Sequence, residues 1–228
     1  MFYKNSNVSS VNINVLCKQC QHYASAMKTY HHGNLKKELI KCACKMCERD
    51  GYTKLSIRSL AKESKVSQTA PYRHFKTKED LYAAIIKEGF DRLNDKMMSI
   101  NIKDSKNYLI GCGKTYIDFG LNNANTYDLM FGTSVGNYAD YPDLNESANK
   151  TFHLLLSSFK KLSDDDDEIV AFKCITLWSM VHGLVGIIRK VNIAGDRNKD
   201  GPMPFANQIS KNLDFHLDKV LTGLIETD

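Results

Sequence analysis

Between Asn34 and Phe75 the chain is cut into pieces too short to stand alone, and each cut falls at a residue that stops or starts a helix. Apolar residues at Leu35, Leu39, Cys42, Ala43 and Met46, with Ile40 and Cys47 alongside, recur at helical spacing and leave one stripe to bury. Gly51 closes that helix, since glycine enters the left-handed conformation of a helix end without a steric penalty. Ser56 is placed to cap a second, short helix through Ile57, Leu60 and Ala61 to about Ser64. Lys65 and Val66 make a tight turn, Ser67 caps again, and QTAPYRHF is expected as a third short helix at about 68–75. Helices this short are marginal in water by themselves, so the three must share one small core. Thr77 caps a fourth, longer helix reaching about Ser99, with Glu79 and Asp80 in the first turn, where acids complement the helix dipole.

The rest of the chain is helical by the same criterion, because four prolines and thirteen glycines in 228 residues leave long uninterrupted periods. The expected fold class is all-α. A helix is expected at about 104–123 with Tyr108, Leu109, Tyr116 and Phe119, and a short one through Tyr127, Leu129, Met130 and Phe131. After the turn-rich GTSVGNYADYPDL, another resumes near Glu146 with Phe152, Leu155, Leu156 and Phe159. Ser163 and aspartates 164–167 open a helix at about 165–190 that is apolar on more than one face, and after a loop at 191–204 a last helix at about 205–225 carries another wide stripe. Together these two hold more apolar surface than one small body can cover, so a partner is expected against them. Residues 1–28 show no sustained period and are read as a loosely ordered arm, with Met27 a candidate translation start. The expected division is an arm at 1–28, a helix-turn-helix head at 29–78 and a larger helical body at 79–228.

Charge separates along the same lines. Residues 28–78 hold 13 Lys/Arg against 4 Asp/Glu, whereas residues 79–228 hold 16 against 22. The basic segment is where a polyanion would bind. Three short helices followed by a long one have the spacing of a DNA-binding helix-turn-helix, whose third helix enters the major groove. Its N-terminal end presents Gln68, Thr69 and Ala70, an amide and a methyl group suited to base edges, with Ser67 at the cap. Tyr72, Arg73, His74 and Lys76 lie where phosphate oxygens would be, flanked by Ser56, Arg58 and Lys78. Phe75 is expected in the core.

These residues resemble a known family. The Gly51-Tyr52 turn with Leu55-Ser56, then Ile57-Arg58-Ser59-Leu60-Ala61, Val66-Ser67, Tyr72-Arg73-His74-Phe75 and Lys78-Glu79-Asp80-Leu81 are similar to the head of the tetracycline-repressor (TetR/AcrR) regulators. Lys65 departs from the pattern, standing where the family usually has glycine. Tyr30-His31-His32-Gly33, Ala124-Asn125 through Met130-Phe131-Gly132, and Trp178 with His182-Gly183 resemble the subgroup whose C-terminal domain is named for WxxxHG. The resemblance implies a homodimer through the helices at about 165–190 and 205–225, a palindromic double-stranded DNA operator, and release by a small-molecule effector.

Trp178 and His182 share a helix face and admit two readings: a core aromatic with a satisfied buried histidine, or an effector pocket shared with Tyr116, Phe119, Tyr127, Met130 and Phe152. Cys17, Cys20 and His22, with Cys42, Cys44 and Cys47, invite a metal or redox role. Cys42, Cys44 and Cys47 point in different directions on one helix, so free structural thiols are expected and no metal. A thiol-based redox regulator and a nonspecific DNA-binding protein remain as alternative functions. No glycine-rich phosphate loop, GxSxG or HExxH occurs, so neither an enzyme nor a cofactor is expected. No run approaches ~18 consecutive apolar residues, which favours a cytoplasmic protein without a membrane partner.

Overall fold

A computed structural model describes residues 35–195 and 201–226. The arm at 1–28, Met27, Tyr30–Gly33 and the Cys17, Cys20 and His22 group lie outside the described residues. Nine α-helices and no strand occur among those described: α1 (Leu35–Asp50), α2 (Ile57–Glu63), α3 (Lys78–Met98), α4 (Ser105–Asn122), α5 (Ala124–Met130), α6 (Pro142–Phe159), α7 (Asp167–Ala194), α8 (Met203–Lys211) and α9 (Leu213–Glu226).

The expected capping holds where it is most specific. Ser56 Oγ accepts from Ser59 N at 3.0 Å, and Ser59 Oγ accepts from Ser56 N at 2.9 Å, closing a reciprocal box at the start of α2. Thr77 and Asp80 do the same for α3, at 3.0 and 2.9 Å. Each box satisfies amides that the first helical turn leaves without a backbone partner.

The third short helix is not α-helical. The segment 68–75 is a series of turns with one 3₁₀ element, Pro71–Arg73, held by Ala70 N to Ser67 O, Arg73 N to Ala70 O, and both His74 N and Phe75 N to Pro71 O. Pro71 has no N–H to donate to the Ser67 carbonyl, so the α-helical ladder cannot form across it. Two other boundaries shift for local reasons. Helix α6 begins at Pro142, where a missing N–H is harmless. The last helix breaks at Asn212, whose side-chain amide donates back to Gln208 O at 3.0 Å in competition with the backbone. Helix α7 is capped by Asp166, whose Oδ1 accepts from Ile169 N, and not by Ser163.

Lys65 lies at φ +54°, the one non-glycine at positive φ among the described residues. The left-handed conformation costs a side-chain-bearing residue about 1–2 kcal/mol, partly offset by the ~0.5–1 kcal/mol of extra unfolded freedom that glycine loses on folding. Lys65→Gly is therefore expected to stabilise the protein by ~0.5–1 kcal/mol, raising the thermal midpoint followed by circular dichroism by about 1–4 °C.

Helix α3 joins the two halves. It packs against α1 on the head side and against α5, α4 and above all α6 on the body side. The core is continuous from Leu39 and Leu60 through Leu81, Ile85 and Leu93 to Leu109, Phe159 and Val185. Asn94, almost fully buried on α3, donates to Ser147 O at 2.8 Å and accepts from Thr151 Oγ1 at 2.7 Å, so its amide is satisfied inside the α3–α6 contact. Gly89 permits α5 to come close, because a Cβ there would lie 2.5 Å from Met130 Sδ.

Helix α7 is long and apolar enough to cross a membrane by length and composition, with a mean hydropathy of 1.6 in its most apolar window. One face, with Val170, Cys174, Leu177, Val181, Val185 and Ile188, lies in the protein core. Another is bare: Phe172 is 69% exposed, and Ile169, Ile175 and Ile187 are each more than 40% exposed. Phe205 on α8 and Phe215 on α9 are exposed as well.

Candidate functional sites in head and body

The segment from Ser67 to Lys78 presents Ser67, Gln68, Thr69, Tyr72, Arg73, Lys76 and Lys78 on the surface, with Ala70 and His74 half-buried and Arg58 exposed nearby. Pro71 and Phe75 alone turn inward, and Phe75 is 1% exposed. A buried proline and phenylalanine four residues apart thus act as anchors, and the intervening polar side chains face out. Two of the expected phosphate contacts already have partners. Ser56 Oγ serves its capping box, and Lys78 Nζ donates to Thr53 O at 3.2 Å while lying 5.1 Å from the centre of the Tyr82 ring. Tyr72 is 51% exposed.

In the body, a cavity of about 500 Å³ opens between α3, α4, α6, α7 and the segment 130–138. Of the residues expected there, Tyr116, Met130, Phe152 and Trp178 line it. Phe119, Tyr127 and His182 do not. Phe119 is fully buried, with the Arg92 guanidinium 5.7 Å from its ring centre. Tyr127 and His182 stand behind Tyr116, their rings stacked at 5.4 Å. Sequence reasoning missed Phe90 and Met97 of α3 and Phe131, Val135 and Tyr138 of the following loop. Phe90 and Met97 are seven apart and so share one face of α3. The pattern marks that face as inward and cannot tell packed core from cavity wall.

The tryptophan and histidine spaced by four converge on Tyr116. Trp178 Nε1 donates to Tyr116 Oη at 3.0 Å, and His182 Nδ1 lies 3.0 Å from Tyr116 Oη and 2.6 Å from Tyr127 Oη. Burial pushes the Tyr116 hydroxyl far up and the Tyr127 hydroxyl up to about 12, so both keep their protons. Burial, then the Arg189 charge, lowers the His182 pKa. A neutral histidine accepting at Nδ1 carries its proton on Nε2, and its one Nδ1 lone pair takes the proton of Tyr116 when Tyr127 donates to Tyr116 Oη at 3.2 Å. Arg189 secures the other side of Tyr127, lying 4.9 Å from its ring centre and donating to Asp128 at 2.6 Å and Ala124 O at 3.2 Å. The motif is thus a closed polar network at the cavity's inner edge.

Head and body are bonded where the wall of that cavity begins. Glu48, near the end of α1, accepts from Thr126 N at 2.7 Å, and its carbonyl accepts from Asn125 Nδ2 at 2.9 Å. Its carboxylate thereby satisfies an amide in the first turn of α5, the helix ending at Met130 on the cavity. At the far end of the wall, Gly136 N donates to Glu79 Oε1 of α3 at 3.2 Å. Glu48→Ala is expected to cost about 1.5–3 kcal/mol, the range for a hydrogen bond to a charged group. Hydrogen exchange should then show faster loss of the Thr126 amide proton.

Four of the five cysteines among the described residues are poorly suited to redox sensing, Cys42 being the half-buried one. Cys44, Cys47, Cys112 and Cys174 are buried. Burial, the leading cause in each, pushes Cys44 up to about 12 and the other three to about 11, so the nucleophilic thiolate is scarce at neutral pH. Among the described residues no three His, Cys, Asp or Glu side chains are grouped to hold a metal ion.

Comparison with known proteins agrees with this architecture. Residues 39–85 match the family described as bacterial regulatory proteins, tetR family, and residues 109–199 match the tetracyclin repressor-like C-terminal domain, together well over half of the chain. No curated protein matches the sequence. Among solved structures, the chain is similar to a protein of unknown function from Rhodococcus sp. RHA1, with 22% identity, 87% of this chain and 100% of that one covered, and a TM-score of 0.68. It is also similar to a TetR variant from Acinetobacter baumannii AYE in complex with minocycline (17% identity, 82% and 94% covered, TM-score 0.58). A third is the TetR-family regulator PfmR from Thermus thermophilus (17% identity, 79% and 97% covered, TM-score 0.54). At these identities the likeness is one of fold.

Proposed function

Because the chain belongs to the TetR family of bacterial transcriptional regulators, and is a regulator and not an enzyme, we propose that it is a cytoplasmic repressor that binds a palindromic operator as a homodimer and is released by a small molecule held in the body. The observation that carries this reading is the outward-facing segment 67–76, polar and cationic on its surface and pinned by Pro71 and Phe75 beneath. Gln68, Thr69 and Ala70 read base edges. Ser67, Tyr72, Arg73, His74 and Lys76, flanked by Ser56, Arg58 and Lys78, hold the backbone. Ser56 and Lys78 act mainly through the caps and contacts that shape the surface, because their polar groups already have protein partners.

Two such segments must meet successive turns of the major groove, ~34–36 Å apart, so their separation governs affinity. Helix α3 carries Leu81 and Ile85 in the core beside the head and Phe90 and Met97 on the cavity wall. A ligand that prefers a different wall geometry therefore shifts α3 and α5, and the head follows through the α1–α3 packing and Glu48. A coupling of ~1–3 kcal/mol is enough to change operator affinity by about 5–150-fold. The burial of Cys44, Cys47, Cys112 and Cys174 favours this ligand-driven reading over a redox role for those four thiols.

The test is a gel shift on the DNA upstream of the protein's own gene. Arg73→Ala is expected to weaken binding similarly across sequences and to lower the salt slope by about 0.9. Gln68→Ala is expected to relax the preference at one base pair by ~1–3 kcal/mol. If the parent protein bound random and palindromic DNA equally at ~150 mM salt, the operator reading would fail in favour of nonspecific binding.

A further inference from the structure

We propose that the body cavity is built for an uncharged, largely aromatic compound, and that it disfavours a ligand that must carry a carboxylate, phosphate or sulfonate inside it. The inference rests on the reading of this cavity as the effector site and names the chemistry that the effector must have.

The wall supplies the argument. None of its residues is Lys, Arg, His, Asp or Glu, while six of them are aromatic: Phe90, Tyr116, Phe131, Tyr138, Phe152 and Trp178. Its volume of about 500 Å³ lies within the range of drug-sized ligand sites. Nearly every polar atom of the wall's side chains already has a protein partner. Tyr116 is held by Trp178, His182 and Tyr127. Tyr138 donates its hydroxyl proton to the Met130 carbonyl, and Thr151 donates to Asn94 at 2.7 Å. Asn149 is the exception: it stands exposed, with a long 3.4 Å contact to Asn145, and its carboxamide is available to one carbonyl or hydroxyl of a ligand.

A charged group carried past the mouth of this space gives up hydration and finds no opposite charge on the wall, a costly form of polar burial. A neutral aromatic molecule meets ring faces, ring edges and the sulfur of Met97 and Met130, and displaces water from apolar surface. Glu79 stands outside the wall with its carboxylate engaged by the Gly136 N–H at 3.2 Å, and Arg189 and Asp128 are paired with each other behind Tyr127. They do not reach the cavity wall.

A matched pair of fluorescent probes tests this on the full-length protein. N-phenyl-1-naphthylamine is uncharged, and 1-anilinonaphthalene-8-sulfonate has the same ring skeleton with a sulfonate added. The neutral probe is expected to bind at least tenfold more tightly in fluorescence titration. Ala148→Phe, which fills the cavity from α6, should abolish that binding while circular dichroism remains native. Asn149→Lys, which puts a cation on the wall, should improve sulfonate binding at least threefold and narrow the gap between the two probes. The proposal is overturned if neither probe binds, if the sulfonate binds as tightly as the neutral probe in a manner abolished by Ala148→Phe, or if Asn149→Lys moves neither titration. Gel shifts with and without saturating N-phenyl-1-naphthylamine read the effector role separately. An operator shift unchanged by a bound neutral probe would count against the cavity as the regulatory site and leave its ligand chemistry standing.

Discussion

Gly183→Arg is expected to yield a folded monomer whose operator affinity falls by about 10²–10⁴-fold, the avidity lost when two linked binding modules become one. Gly183 and Gly186 lie on the bare face of α7, close in helical phase to Phe172 and Ile187, and a Cβ at either glycine would meet nothing within 4 Å. The protomer therefore accommodates a side chain at 183. In a helix interior the exchange even gains up to ~1 kcal/mol of intrinsic propensity. Arginine there would set a long charged side chain on an apolar stripe where a partner helix is expected to pack, so the substitution separates folding from association. Sedimentation velocity checks the mass, and a gel shift on the upstream DNA checks the affinity. A Gly183→Arg protein that stayed dimeric would move the interface away from α7.

Phe75→Ala is expected to destabilise the protein by ~3–5 kcal/mol, the range for emptying a fully buried phenylalanine site. For a chain of this size that lowers the thermal midpoint by about 6–20 °C. The segment 67–75 has a broken ladder across Pro71 and few backbone bonds of its own. Its placement depends on the two side chains that turn inward, so operator binding should be lost with the anchor. Tyr72→Ala, three residues away but half exposed, should change stability by no more than ~0.5 kcal/mol. Thermal melts of the two variants side by side separate anchoring from contact. Equal destabilisation would mean that Tyr72 and not Phe75 holds the segment.

The limits of sequence reading in this chain follow from what each signal measures. Caps are local: Ser56, Thr77 and Asp80 need only the next three residues to do their work, and their boxes form as their spacing implies. The proline at 71 is equally visible, but the apolar and aromatic spacing around it suggests a continuous helix, and the missing N–H prevails. Asn212 is hidden in a good apolar period and breaks the last helix through its own side chain. Periodicity marks which side of a helix faces inward, and on that basis Tyr116, Met130, Phe152 and Trp178 belong together. It carries no information on depth. Phe119, Tyr127 and His182 share the inward direction and lie in the packing behind the cavity, while Phe90 and Met97, equally inward, line it.

What the amino-acid order determined by itself was the set of short-range choices: helices as the chain's elements, most helix limits, a basic head before an acidic body, and a tight turn at Lys65. Each depends on neighbours within about one helical turn, so the linear order contains the information. Which inward residues touch one another and which leave a cavity, that Trp178 and His182 meet on Tyr116, and that Glu48 reaches across 78 positions to Thr126 were decided only by the packed structure. Those outcomes depend on how helices with apolar faces fill space together, and many sequences with the same periodicity would fill it differently.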